Sequence, residues 1–254
     1  MLDITGEDAT HWNSGREFLV VGDRSALVFE SPLDNPAGKI LLYSGHSDRI
    51  TPAGSSRIIL HFVDSAGITY RYTTNKEQLQ NVISSELPML IDLVQVNRLR
   101  DKLAGKRLWI KTDKWLDANG GIYAGSKYDA VTITDVCGGS ENLPFLIYFT
   151  DSSGRQSCIR MSQSEGALAS RPFHTLFSLE NPRLSYPSVS DEIWDKIKRG
   201  QVAEGMNKQE CRLALGNPDN VDTDRDYSRL IETWTYANGI FLRFEDGVLV
   251  YFRK

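Results

Sequence analysis

Cysteine is scarce in this chain, and the little there is follows no recognisable pattern. Cys137, Cys158 and Cys211 are too few to staple a disulfide scaffold, and no CxxC spacing occurs, so a zinc or thioredoxin-type site has no support. Cys137 and Cys158 fall in one expected β module, where either a disulfide or two buried thiols would fit. Histidine is equally sparse. His11, His46, His61 and His174 lie far apart, none in an HExxH or other ligand spacing. The run from Ser44 to Asp48 holds Ser, His and Asp, but neighbours on one short stretch do not build a nucleophile triad. There is no GxSxG elbow, phosphate-cradling loop or GxGxxG. Long apolar runs are missing too: the most hydrophobic piece, LPMLIDLV, is interrupted by Asp92, far short of the roughly 18–20 residues a membrane span needs. The opening MLDITGEDATHWN has neither the charged start nor the apolar centre of a signal peptide. No basic run exceeds two residues and the net charge is −4, which argues against nucleic acid. No cofactor, metal or catalytic residue is expected.

What is present is the composition of a folded protein, 41% hydrophobic and 24% charged, in 254 residues, enough for two or three domains. Self-comparison finds a faint tandem repeat. GREFLVV at Gly15 resembles GKRLWIK at Gly105, 90 positions later; KILLYSG and DAVTITDVCGG keep that spacing. RIILHFVDSAG and FLIYFTDSSG follow, with Asp64 and Asp151 87 positions apart. In each copy Asp-Ser-x-Gly is a hairpin turn, since Gly takes positive φ and Asp bonds its own downstream amides. Short strands, early long loops and about 60 residues per copy suit a small SH3-like barrel. Between the copies, Leu93, Val96, Leu99 and Leu103 line one face of a helix that ends at Gly105. The stretch RPFHTLFSLENPRLSYPSVS is expected to be an ordered linker held by Phe173, Phe177 and Tyr186.

From Ser190 onward the signals sharpen. Ile193, Trp194 and Ile197 share a helix face that stops at Gly200. Asn207 and Glu210 form a capping box for a second helix, which Gly216 ends and Pro218 keeps from continuing. Asn238-Gly239 and Asp246-Gly247 separate ETWTY, IFLRF and VLVYF into a three-stranded meander, with Trp234 and Tyr236 on its helix-covered face. The run GMNKQECRLALGNP, then WTY, then FEDGVLV resembles the BamE/OmlA (SmpA) domain of bacterial outer-membrane lipoproteins, with Asn207 where that family usually has threonine. The likeness covers about a quarter of the chain, and all three cysteines are internal, unlike the lipidated N-terminal cysteine of those proteins. The whole order of segments resembles uncharacterised Bacteroidetes envelope proteins. The resemblance implies SH3-like modules joined to a BamE-like module, and implies no activity.

The expected architecture is mainly β with an α+β end: an SH3-like barrel over 1–75, a helical connector over 76–104, a second barrel over 105–170, an ordered linker over 171–189 and a BamE-like domain over 190–254. The expected function is non-catalytic binding or scaffolding in the bacterial cell envelope, with a protein, peptide or cell-wall fragment as partner. Such a chain would be periplasmic or outer-membrane-associated if a signal or lipoprotein leader has been removed, and cytoplasmic otherwise. Candidate ligand-binding residues are Trp109, Trp115, Tyr123 and Tyr128, clustered early in the second repeat, where SH3-like barrels bind on aromatic surfaces; the alternative for one or two of these rings is the barrel core. Two rival functions are an inhibitor of a secreted enzyme, which would show exposed aromatics on the terminal sheet, and a hydrolase, which would show a histidine beside Cys137 or a carboxylate pair in a cleft.

Overall fold

Turn residues at short intervals cut the chain into antiparallel strands, and the computed structural model describes these over residues 4–22, 24, 27–30, 35–50, 54–117, 120–163, 170–226 and 229–253. The protein is mainly β, with few and short helices. It divides into two compact units: Met1–Lys106, Thr132–Thr150 and Gln156–Leu176 make the first, and Arg107–Val131, Asp151–Arg155 and Phe177–Lys254 the second.

In the first unit, β1 (Glu17–Val20), β2 (Phe29–Glu30), β3 (Ile40–Ile50), β4 (Ser56–Val63), β5 (Thr69–Thr73) and β6 (Leu90–Asp92) form a sheet in the order β2-β5-β4-β3-β1-β6. Strands β3 to β5 are a meander, and β6 returns across two 3₁₀ turns, Leu79–Asn81 and Ser84–Glu86, to pair with β1. Its core is aromatic: Phe18, Phe29, Tyr43, Phe62, Tyr70 and Tyr72 meet mostly edge to face, the arrangement the ring quadrupoles favour. Helix α1 (Leu93–Leu103) follows at once, capped by Asp92, whose side chain accepts from the Val94 amide. Val96, Leu99 and Leu103 are buried on one face, as the spacing requires, and Gly105 turns the chain at φ 77°.

The second repeat reproduces the first strand, the meander and the closing strand of the first, and adds one short strand that has no counterpart there. Strands β7 (Arg107–Ile110), β8 (Lys114–Leu116) and the added β9 (Ile122–Ala124) belong to the second unit. The meander β10 (Ala130–Ser140), β11 (Leu143–Thr150) and β12 (Gln156–Met161) belongs to the first, apart from the opening residues of β10. β1 and β7 bury the same alternate positions. β3 and β10 are both 11 residues long, and each breaks register at the same place, between Tyr43 and Gly45 and between Ile133 and Asp135. Such a bulge bends a long strand and lets one sheet curl. After the short helix α2 (Phe173–Leu176), β13 (Phe177–Ser178) pairs with β7 through Phe177 and Ile110, as β6 pairs with β1 through Leu90 and Val20. The segments expected as connector and linker thus each contain a strand, missed because two or three residues cannot display alternation. No disulfide joins any of the three cysteines, and Cys137 and Cys158 are not bridged. Strand β11 runs between them, and two strand spacings, about 9–10 Å, exceed the reach of a disulfide.

The second unit ends in helices α3 (Asp191–Lys198) and α4 (Lys208–Leu215) and a sheet of β14 (Asn220–Asp226), β15 (Arg229–Thr235), β16 (Phe241–Glu245) and β17 (Val248–Arg253), in that order. The Asn207–Glu210 capping box is formed in both directions, at 3.0 and 2.8 Å. Asp246 and Gly247 both take positive φ, the requirement of the tight turn read from their pair. Trp194, Ile197, Met206, Cys211, Ala214, Trp234, Leu242 and Phe244 form the core. The sheet has four strands rather than three. β14 carries NVDTDRD, whose charges and lack of alternation conceal an edge strand in sequence while blunting it against unwanted pairing.

Candidate functional site

The four aromatic candidates do not share one surface. Trp115, on β8, is 1% exposed, its indole N–H donating to the Thr112 carbonyl at 2.7 Å. Tyr123, opposite it on β9, meets the ring edge to face at 5.9 Å, and the Arg155 guanidinium covers Tyr123 at 5.0 Å. Gly125 lies so close to Trp115 that a Cβ there would fall 2.2 Å from the indole. Tyr128 belongs to the core of the terminal helices: it lies 5.4 Å from Trp194 and donates to the Leu213 carbonyl at 3.2 Å. Burial pushes its phenol up to about 12. Trp109 is half-buried beneath the Arg107 guanidinium. Trp115 and Tyr123 are therefore brought together as packing partners, while Tyr128 and Trp109 make contacts of their own.

Two concavities of the first unit are lined by parts of the chain from Val82 to Ile91 and meet at Leu87. The first, a cleft of about 400 Å³, is bounded by Val28, the end of β5 and the second 3₁₀ turn. Its apolar lining includes Val28, Leu87 and Pro88, and its rim carries the Lys76–Glu86 ion pair at 3.0 Å. Tyr72 fastens the wall by donating to the Pro88 carbonyl at 3.3 Å. The second is a smaller pocket of about 190 Å³, reaching from Ser84 to Gln95 on α1 and to the β10–β11 turn. A wider depression of about 780 Å³ surrounds Arg16, whose guanidinium is held by Asp92 at 2.5 Å and Glu7 at 2.6 Å. Arg16 is 8% exposed, and burial alone would lower its pKa, yet its Asp92 and Glu7 hydrogen bonds raise it further. That triad fastens residue 7 and the start of α1 to β1.

No family model, curated protein or solved structure matches the chain.

Groups that could serve as nucleophiles are arranged as follows. Cys137 Sγ faces Asp135 Oδ2 at 3.6 Å, and Arg100 binds that same aspartate at 2.6 Å. Burial and the neighbouring Asp135 push the thiol pKa up, which keeps it protonated and weakly nucleophilic. Ser47 Oγ lies 2.8 Å from His61 Nε2, a contact across β3 and β4 that linear spacing did not reveal. Burial, then Arg71 and His46, lower the His61 pKa. The pair sits on an exposed strand face outside the described clefts, and among the described residues no carboxylate bonds to His61. Among the described residues, no group of three or more His, Cys, Asp or Glu is placed to hold a metal. Among the described residues, no helix is long and apolar enough to cross a membrane.

Proposed function

We propose that this chain is a non-catalytic binding protein of the bacterial cell envelope, built from two SH3-like modules and a BamE-like terminal domain. It holds an extended peptide or a protein segment in the cleft of the first repeat. What carries the reading is the path of the chain there: a three-strand meander, a 3₁₀ segment, and a last strand, β6, that returns to pair with the first. That path leaves the 3₁₀ segment standing beside an apolar-floored cleft with a charged rim. An extended segment gains affinity from such a floor and selectivity from such a rim. The burial of Trp115 moves the expected ligand surface away from the second repeat.

Selection of random 12-residue peptides against the whole protein tests this. Enriched peptides should bind about tenfold more weakly to Val28→Ala and respond to Lys76→Glu, with both variants still folded by circular dichroism. Failure to enrich any sequence, or binding indifferent to both substitutions, would refute it.

One observation favours inhibition of a secreted enzyme as a second reading. Tyr251 is 51% exposed on the outer face of the terminal sheet, 6.4 Å from Phe241. An inhibitor of this kind would lose potency against a panel of secreted hydrolases on Tyr251→Ala; inhibition of none of them by the wild type would dispose of it.

A further inference from the structure

The 190 Å³ pocket of the first unit holds two polar atoms that no described residue satisfies. Among the described residues, Ser84 Oγ and Gln95 Nε2 are buried and lack hydrogen-bond partners; the residues are 0% and 6% exposed, and both line this pocket. Leaving a buried polar group unpaired is costly, so two lining one cavity point to a partner bound there.

The orientation of Gln95 follows from its neighbours. The Ile4 carbonyl can only accept, so it fixes Gln163 with its nitrogen towards Ile4 at 2.5 Å. That nitrogen also donates to Gln95 Oε1 at 3.0 Å, which leaves the Gln95 NH₂ as the group unspent. Asp92 lines the cavity too, but its oxygens already accept from Arg16 at 3.2 and 2.5 Å and from the Val94 amide at 3.1 Å. Among the described residues no Lys, Arg or His lines the pocket, and Glu141, exposed at the β10–β11 turn, lines its outer edge. An anion would find no counter-charge there, and a cation would meet the Gln95 N–H dipole. The ligand is therefore neutral. It must bring an acceptor to Gln95 and a hydrogen-bonding partner to Ser84, with an apolar part against Leu87, Leu90 and Phe145. The volume amounts to about six waters, enough for one small group rather than a whole drug-sized molecule. Met89, on the wall, is held at φ 61°, where its carbonyl accepts from the Val21 amide at 2.9 Å; such local strain tends to collect at binding sites.

We infer that this pocket recognises a neutral carboxamide: its C=O accepts from Gln95 Nε2–H, its N–H meets Ser84 Oγ, and its alkyl part lies on the apolar wall. Such a group could come from an N-acetylated sugar or from the amide side chain of a peptide. The inference does not rest on the peptide-cleft reading, because the two concavities share only Leu87, and neither Ser84 nor Gln95 lines the cleft.

The test is titration of ¹⁵N-labelled full-length protein, following the side-chain amide signals of Gln95, assigned by their loss in Gln95→Met. N-methylacetamide should shift them saturably, and acetate and methylammonium should not at the same concentrations. Ser84→Ala, which retains the backbone bond from Ser84 N to Glu7, should weaken binding about fivefold. N-acetylglucosamine and a blocked asparagine then separate the sources: tighter binding of either supports the site and names its origin. Absence of a saturable shift means the cavity holds water alone and overturns the inference. So would an equal response to acetate, or a Ser84→Ala protein that binds as the wild type does. Failure of both larger probes to bind more tightly than N-methylacetamide would also overturn it.

Discussion

At Asp64 one buried carboxylate accepts from the Ala66 and Ile68 amides at 2.9 Å each, from Lys39 Nζ at 3.1 Å and from the Tyr70 hydroxyl at 3.0 Å. Burial alone would push its pKa up; the Ile68 amide, Lys39, Tyr70 and the Ala66 amide outweigh this and bring it down to about 2. A folded pKa below the unfolded value near 3.9 means that Asp64 contributes stability fully present above about pH 4 and lost as pH falls through about 2. Asp64→Asn keeps an oxygen for the two turn amides but cannot titrate. Its urea midpoint should therefore fall less than the wild type's between pH 5 and pH 2; parallel curves would show that other carboxylates govern acid unfolding. Gly125 makes a second residue-scale case. A methyl group there would strike the Trp115 indole, so Gly125→Ala should cost about 1–3 kcal/mol in urea unfolding, and a neutral result would mean the indole can shift aside. The turn role of Asp64 could be read from Asp-Ser-x-Gly, because turn chemistry is local. The burial of Trp115 could not, because β8 is three residues long and its packing against residue 125 depends on a chain reversal that no spacing encodes.

Elements with strong ends were the most legible. The cap at Asn207 and the stop at Gly216 were readable because helix ends leave unpaired backbone groups that only certain residues satisfy. Asn207→Ala removes the oxygen that accepts from the Glu210 amide and should destabilise the protein by about 1 kcal/mol, while Asn207→Thr should restore most of that. Equal midpoints for wild type and Asn207→Ala in urea would mean that the rest of the fold holds α4 without its cap. Elements recognised by alternation fared worse when short or charged. β6 and β13 hold three and two residues, and β14 exposes nearly all it has, so none announces itself as a strand. The candidate pocket was invisible for a related reason. Ser84, Gln95 and Gln163 are ordinary polar residues, separated in sequence, and only the return of β6 and the start of α1 bring them to one cavity.

Across the whole chain, the faint sequence repeat corresponds to a close structural one. The first strands, the meanders with their bulges and the closing strands keep the 90- and 87-residue offsets, while β2 and β8 depart from them and β9 has no counterpart. Even the turn aspartates agree: Asp151 accepts from the Ser153 and Arg155 amides as Asp64 does from Ala66 and Ile68, and both are buried. The repeats differ in what surrounds that shared frame, with an aromatic core in the first and Trp115 against Gly125 in the second. If the frame is retained because the backbone needs it, equivalent glycines should respond alike to the same change. Gly67 and Gly154 hold φ 80° and 82°, and a Cβ at either would meet no atom within 4 Å. Gly67→Ala and Gly154→Ala should therefore each destabilise by about 1–2 kcal/mol through backbone strain alone. The double variant should lose their sum within about 0.5 kcal/mol, since the two turns share no partner. Urea unfolding of the four proteins measures this. One glycine tolerating alanine freely while the other does not would mean that the turns, alike in form, carry different loads in the two copies.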